Sequence, residues 1–169
     1  MLDKKWKKVL FVLATIFILY SAVWSAYVTY RYEPFRKKLG TTVGVSKSYL
    51  QKDRYTYSVF KPHFLSFTGN LHISEYITSD DNQDEAVSAD LIIWPHGIND
   101  YEIMVGIITT TTYNNGHSTH SICTNMTLDK DMNLLDDTPE NRALYEQNLD
   151  KIENLYHLAY DMWGILELP

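Results

Sequence analysis

The longest apolar run in the chain extends from Val9 to Tyr30, twenty-two residues without a charged side chain. A helix of this length rises about 1.5 Å per residue and measures roughly 33 Å, enough to cross a hydrocarbon core of about 30 Å. Lysines precede the run, basic residues follow it, and Trp6 and Trp24 lie near its ends, where bilayer interfaces favour aromatic rings. The run lacks the polar stripe that a helix of a soluble domain keeps. It therefore predicts a transmembrane anchor at residues 9–30.

A cleaved signal peptide is the alternative interpretation of this run. Its apolar region should be only about 7–15 residues long and end in small residues. The run is longer than that, and Val23-Trp24-Ser25 is the only site in it that would tolerate cleavage. We therefore expect the anchor to be retained. Four basic residues lie on each side, so flanking charge does not decide the orientation. The short tail of residues 1–8 favours a cytoplasmic N-terminus, which places the remaining chain outside the cell membrane.

Beyond the anchor, residues 31–47 are interpreted as a juxtamembrane linker, because Pro34, Gly40 and Gly44 are breakers of regular structure. Residues 48–169 are interpreted as one extracytoplasmic domain. Several of its segments alternate apolar and polar residues or are rich in β-branched side chains, which is typical of strands. The predicted strands are Lys52–Phe60, FLSFT at 64–68, LHISEYI at 71–77, Leu91–Trp94, Tyr101–Thr112 and His117–Leu128.

Polar segments separate these strands. Gly69-Asn70 and Asn114-Asn115-Gly116 predict tight hairpin turns, because their residues tolerate positive φ. Residues 95–100 are expected to turn the chain. The segment Thr78–Ala89 is strongly acidic and almost free of apolar residues, so it is predicted to be an exposed loop. Its acidic residues are Asp80, Asp81, Asp84 and Glu85.

The last element is predicted to be one long amphipathic helix from Pro139 to Trp163. Thr138 is a candidate N-cap, Pro139 fits the first helical position, and Gly164 ends the helix. Six apolar residues recur at spacings of three and four: Tyr145, Leu149, Ile152, Tyr156, Ala159 and Trp163. Strands followed by one such helix indicate an α+β domain, an antiparallel sheet with the C-terminal helix packed on one face.

Charge is distributed unevenly along the chain. Residues 1–40 contain eight basic and two acidic residues, a net charge of +6, whereas residues 41–169 contain seven basic and nineteen acidic residues, a net charge of -12. An acidic domain repels phosphate backbones, so nucleic acid is a poor candidate partner. Such a domain attracts basic proteins and cations, although solubility alone also explains an acidic balance.

The sequence patterns do not predict a catalytic site, a metal site or a cofactor. A calcium loop could begin at Asp129, but Leu134 stands where the sharp turn of such a loop needs glycine. His117 and His120 are three residues apart in a predicted strand and would point to opposite faces. Cys123 is the only cysteine, so the chain can form no internal disulfide. We therefore do not expect an enzyme.

We expect an acidic surface to carry the function. One candidate is the acidic loop described above. The other is a set of carboxylates in or beside strands, ranked higher because strands disfavour Asp and, more weakly, Glu. Glu75 shares a face with Leu71 and Ile73, which suggests a place at a sheet edge. The strand set comprises Glu75, Asp90, Asp100 and Glu102, with Tyr76 and Tyr101 as neighbouring aromatic anchors.

Three segments, ADLIIWP, YEIMVGI and MTLDKDMNLLDDTPENRALYEQNLDKIENLYHLAYDMWGI, resemble the TipC family of immunity proteins, which streptococci and related Gram-positive bacteria carry. The resemblance covers most of residues 90–165 and includes the lysine-flanked anchor. It implies a membrane-tethered protein that binds and neutralises a cognate secreted LXG toxin, exported by type VII secretion and able to degrade the cell-wall precursor lipid II. It also implies that an acidic concave sheet face binds the toxin. The alternative is a membrane-anchored extracytoplasmic enzyme or sensor whose site assembles only in the folded chain.

Overall fold

The apolar N-terminal run forms most of a 36-residue helix, α1 (Lys4–Leu39). By length and composition this helix can cross a membrane, a property that signal sequences share. It continues through Pro34 and ends at Gly40, whose φ of 69° is the left-handed conformation typical of a helix stop. The structure, a computed structural model, describes residues 3–40, 47–76, 85–96, 100–113 and 118–166.

The linker predicted at residues 31–47 is therefore helical as far as Leu39. Pro34 does not break the helix, because the residues around it are held by the domain: Tyr32 and Leu39 are both buried in the core. Gly40 ends the helix as expected. Gly44 lies outside the described residues.

Six strands form one antiparallel sheet in which each strand lies beside its neighbours in the chain. This sheet, with helices from the C-terminal end of the chain packed on it, confirms the predicted α+β fold class. The strands are β1 (Lys47–Lys52), β2 (Tyr55–Phe60), β3 (Asn70–Glu75), β4 (Glu85–His96), β5 (Asp100–Tyr113) and β6 (Ser118–Leu128).

The predicted strands match β5 and β6 closely, but three expectations differ from the structure. The strand predicted at 52–60 is interrupted at Asp53, whose φ of 54° turns the chain between β1 and β2. Phe64–Thr68 is not a strand, so β2 and β3 are joined by a loop, residues 61–69, in place of a two-residue turn. β4 begins at Glu85, inside the predicted acidic loop, and includes Pro95, which was expected to turn the chain.

The helix predicted at Pro139–Trp163 is two helices, α2 (Pro139–Gln147) and α3 (Leu149–Trp163), separated at Asn148. Both predicted ends are confirmed. The Asn141 N–H donates to Thr138 Oγ1 at 3.1 Å, and Gly164 ends α3 with a φ of 70°. The predicted apolar stripe is buried along α3, where it packs across β4.

One face of the sheet forms the core. Residues paired in antiparallel register share a face, so a row of apolar side chains crosses five strands below the helices. The row consists of Val59, Leu71, Ile93, Ile103 and Leu128, none more than 1 % exposed. The final third of α1 covers the same face beside α3.

α1 lies along β2. Near the Phe60 end of β2, the Gly69 N–H donates to Tyr32 Oη at 2.8 Å. Six residues further along α1, Lys38 Nζ donates to the carbonyl oxygen of Trp163 at 2.9 Å, and the Trp163 ring packs on Tyr57. The strands therefore run roughly along the axis of α1, with the β2–β3 loop on the side of the apolar run.

We predict that Ile152→Asp unfolds the domain or nearly does so. Ile152 is fully buried between α3 and the sheet, and an uncompensated buried charge costs roughly 3–5 kcal/mol against a total stability of about 5–15 kcal/mol. Thermal unfolding of the detergent-solubilised chain, followed by circular dichroism, measures the loss. His157→Asp places the same residue at an exposed position of α3 and should leave the melting temperature within a few degrees of the parent. Equal melting temperatures for the two variants would contradict this packing.

Candidate functional site

The second face of the sheet has no helix over it among the described residues. The buried side chains of α1 and α3 all belong to the core on the other side. We call this second surface the open face. By strand register it carries Ser58, His72, Ser74, Ser88, Asp90, Ile92, Trp94, Asp100, Glu102, Met104, Gly106, Ile108, Cys123 and Asn125.

Apolar side chains occupy the middle of the open face. Ile92 and Met104 are cross-strand neighbours on β4 and β5, and Trp94 lies next in line beside Glu102. These three apolar residues are half-buried although no helix covers them, because neighbouring side chains screen one another. A half-buried tryptophan among aliphatic side chains is the kind of group that anchors protein interfaces.

A polar row crosses the open face beside this apolar centre. Asp90, Gly106 and Asn125 are cross-strand neighbours on β4, β5 and β6. Because Gly106 has no side chain, the Asp90 carboxylate leans over it. A Cβ atom at Gly106 would overlap Asp90 Oδ1 and lie 3.2 Å from Asn125 Oδ1. The glycine thus lets two acceptor oxygens approach the same point above the sheet.

His72 fixes the other side of the Asp90 carboxylate. Its Nε2 lies 3.2 Å from Asp90 Oδ2, and the two side chains are 25 % and 17 % exposed. At the far end of the row the Cys123 thiol donates to Asn125 Oδ1 at 3.4 Å. Partial burial raises the pKa of Cys123, and the charge of Asp90 raises it further. A protonated thiol is a poor nucleophile. His72 is hydrogen-bonded to Asp90 and not to the Cys123 thiol.

Asp100 and Glu102 extend the open face towards the start of β5. They are two residues apart on one strand, so both point to the same side, and both are exposed. Glu102 lies four residues from Gly106, about 13 Å along the strand. The structure therefore places three of the predicted partner-binding carboxylates, Asp90, Asp100 and Glu102, on one face.

Glu75 does not belong with them. As predicted, it shares a face with Leu71 and Ile73, but that face is the core side, and β3 lies between two other strands and not at a sheet edge. Its Oε2 lies 3.4 Å from Lys151 Nζ on α3 and accepts from the Ala89 N–H at 3.3 Å. With 8 % exposure, this carboxylate ties the helix to the sheet and is not available to a partner.

Neither predicted aromatic anchor lies at the apolar centre of the open face. Tyr101 alternates with Asp100 and Glu102, so it points to the core side, where it lines a cavity with Tyr160 and Leu166. Tyr76 follows β3 and its hydroxyl donates to the carbonyl oxygen of Asp53 at 2.6 Å, which fixes the β1–β2 turn. Trp94 takes the place expected for them, and the sequence signal for it was only its position in an apolar strand.

The acidic loop is not placed on any surface. Asp80, Asp81 and Asp84 lie outside the described residues, and Glu85 is the first residue of β4. A different acidic surface was missed: Glu146, Asp150 and Glu153 are exposed on α2 and α3. Their spacing of four and three, which repeats the apolar stripe one residue later and so lies beside it, is the signal that could have identified it.

In the segment considered as a calcium loop, the Asp129 carboxylate is hydrogen-bonded to groups of the same loop. Asp129 Oδ1 accepts N–H groups of Asp131 and Asn133, at 2.9 and 2.8 Å, and Asp129 Oδ2 accepts from Asn133 Nδ2 at 2.8 Å. Burial opposes the ionised form, but these hydrogen bonds outweigh it and lower the pKa of Asp129. Within the described ranges, no group of three or more His, Cys, Asp or Glu side chains is arranged to hold a metal ion.

No protein-family model, curated protein or solved structure matches the chain. The functional evidence is therefore the geometry of the open face and the docking of α1 into the domain. That face joins an apolar centre to three carboxylates, one of them oriented by a histidine and a glycine.

We predict that Gly106→Ala destabilises the domain by displacing Asp90. Overpacking typically costs about 1–3 kcal/mol, whereas alanine in place of glycine otherwise favours a strand. In an Asp90→Ala background the carboxylate above Gly106 is absent, so Gly106→Ala should lower the free energy of unfolding much less. Denaturant unfolding of the parent, both single variants and the double variant gives the coupling, expected to be about 1 kcal/mol or more. Additive effects would show that Asp90 does not occupy the space above Gly106.

Proposed function

We propose that this chain is a membrane-tethered immunity protein that binds a secreted antibacterial toxin outside the cytoplasmic membrane and neutralises it through the open face. The observation that carries the proposal is the composition of that face: a half-buried apolar centre flanked by Asp90, Asp100 and Glu102, on a side of the sheet that no described helix covers. The resemblance of residues 90–165 to TipC immunity proteins points to the same class of partner.

The polar row suits a basic side chain of a partner. Asp90 Oδ1 and Asn125 Oδ1 lean towards the same point, and His72 approaches Asp90 only through Oδ2. A lysine or arginine brought to this point would meet a carboxylate that is already oriented, which lowers the entropic cost of pairing. Asp100 and Glu102 would add longer-range attraction, which chiefly raises the association rate and the specificity.

The apolar centre suits a protein surface. Ile92, Trp94 and Met104 form a surface patch, and none of them lines a described cavity. Protein interfaces combine such a desolvated centre with a polar rim, and aromatic residues and methionine are enriched in them. A partner that inserts an apolar group here would displace water from the patch and leave the carboxylates at its border.

The tether is α1, which we propose to be a retained signal-anchor with its N-terminus in the cytoplasm. Cleavage after Ser25 would remove Tyr20 and Trp24, whose rings pack on Phe64 of the domain at centroid distances of 5.4 and 5.3 Å. Tyr32 and Leu39, further along the same helix, are core residues. Such contacts join the helix to the domain and are not expected of a segment destined for removal.

A membrane-anchored enzyme or sensor is the alternative, favoured by a cavity of about 350 Å³ beside the C-terminal end of α3. Its size is within the range of small-molecule sites. Its polar lining includes Tyr101, Lys130 and Asp131, but Lys130 is paired with Asp131 at 2.6 Å. The lining residues that the structure describes include no serine, cysteine or histidine that could act as a nucleophile or base.

We predict that Asp100→Lys combined with Glu102→Lys abolishes protection of cells against the proposed toxin partner, to be identified by pull-down among secreted proteins encoded near this chain, and weakens its binding at least tenfold. Reversed charge at the rim repels a basic partner and slows association. The matched control is Asp150→Lys combined with Glu153→Lys, which makes the same charge change on the exposed side of α3. Circular dichroism must show both variants folded.

Full protection by the folded sheet variant would contradict the choice of face, and loss of protection only in the helix variant would transfer the function to the helices. Binding of the parent should weaken as salt rises, since salt screens exposed charges beyond about 10 Å at 0.1 M. Binding indifferent to salt would contradict an electrostatic contribution.

We predict that protease added to intact cells removes the domain and leaves a small membrane-embedded fragment that contains residues 9–30. A cytoplasmic protein probed in the same sample serves as the control for intact membranes. Protection of the full-length chain would reverse the proposed orientation. A mature N-terminus near Ala26 would show that the helix is a cleaved signal peptide.

A further inference from the structure

The β2–β3 loop packs against the apolar part of α1. Phe64 contacts three rings of the helix, with centroid distances of 5.7 Å to Phe17, 5.4 Å to Tyr20 and 5.3 Å to Trp24. Phe67 contacts Tyr20 at 6.1 Å. The segment that alternates like a strand in the sequence is therefore an aromatic contact between domain and helix.

Hydrogen bonds fix the loop in this position. Trp24 Nε1 donates to the carbonyl oxygen of Ser66 at 2.8 Å, and the Ser66 N–H donates to the carbonyl oxygen of His63 at 2.9 Å. The Thr68 N–H donates to Ser66 Oγ at 3.2 Å. These bonds satisfy part of the irregular backbone within the protein, which lowers the cost of placing the loop in a low-dielectric environment.

The tip of the loop is apolar and uncovered. Leu65 is 77 % exposed, and Phe64 and Phe67 are each 42 % exposed in spite of their contacts with α1. Leu65 has a φ of 76°, a conformation that branched and bulky residues rarely adopt, and it directs an apolar side chain away from the protein. Exposed apolar residues grouped in this way mark a surface that another apolar phase covers.

The position of the loop along the axis of α1 indicates that this apolar phase is the lipid bilayer. Tyr20, which touches both phenylalanines, precedes Tyr30 by ten residues, about 15 Å along the helix axis. In a span from Val9 to Tyr30 this level is close to the middle of the hydrocarbon core. Phe67 also contacts Tyr27 at 5.2 Å, only three residues before Tyr30, so the loop extends from the middle of the core through its outer half. Lys61, at the start of the loop, pairs with Glu33 at 2.9 Å, which lies beyond the span at headgroup level.

We propose that Phe64, Leu65 and Phe67 insert into the outer leaflet beside α1, so that the domain holds the bilayer at two points. The proposal rests on the retained anchor of the proposed function. Because the strands run roughly along α1, insertion of this loop turns the β2–β3 end of the sheet towards the membrane, with only the loop in lipid and Asp100 and Glu102 at the membrane surface. The open face is then presented sideways, accessible to a secreted protein near the membrane surface.

The test uses the full-length chain in vesicles of phosphatidylcholine and phosphatidylglycerol. Leu65→Cys in a Cys123→Ser background is labelled with an environment-sensitive fluorophore, and the native Cys123 of the unaltered chain provides the reporter for an exposed, distant strand. We expect blue-shifted emission at position 65, quenching by spin-labelled lipids, and at least fivefold weaker quenching by aqueous iodide than at Cys123.

Equal iodide quenching at the two positions would overturn the proposal. A blue shift without quenching by spin-labelled lipid would also overturn it, because it would indicate coverage by another protein copy. A third reporter, Leu13→Cys in the same background, separates this failure from that of the anchor. Lipid quenching at position 13 but not at 65 refutes the inserted loop alone, whereas aqueous behaviour at both refutes the retained span as well.

Discussion

The structure depends on the docking of the end of α1 into the domain. The helix is exposed over its apolar run, yet Val28, Tyr32 and Leu39 are buried with the residues of the sheet and α3. The Tyr32 hydroxyl receives the Gly69 N–H in a site where a side chain at position 69 would collide with it. If this helix spans the membrane as proposed, its docking into the core couples the orientation of the domain to that of the membrane.

This docking also determines which face of the sheet is free. α1 and α3 share the core side, and the ion pairs of the buried Glu75 carboxylate with the more exposed Lys151 and Arg54 lie on the same side. Polar groups on the opposite side must then be satisfied without a second layer. The row of His72, Asp90 and Asn125 achieves this through lateral contacts and leaves acceptor oxygens directed outward. The proposed binding function uses the polar groups that this packing leaves on the side away from the described helices.

The sequence predicted the elements whose patterns are local. β5, β6 and the ends of the C-terminal helical segment follow from β-branched runs, caps and period. The turn at Asp53 was missed because it contains no glycine, proline or asparagine, and the break at Asn148 because the apolar stripe continues across it. Of the candidate site, strand alternation could group Asp100 with Glu102. The contacts of Asp90 with its neighbours could not be predicted, because they depend on the register of β3, β4, β5 and β6. These strands bring together residues that are far apart in the chain.

Carboxyl footprinting by mass spectrometry tests the central claim most directly, because it reads the accessibility of each carboxylate with and without the toxin bound. The full-length chain in lipid is labelled alone and in complex with the proposed toxin partner. The account predicts that labelling of Asp100 and Glu102 falls on binding, while labelling of Asp150 and Glu153 is unchanged. Protection confined to Asp150 and Glu153, with the open face labelled as in the free chain, would contradict it.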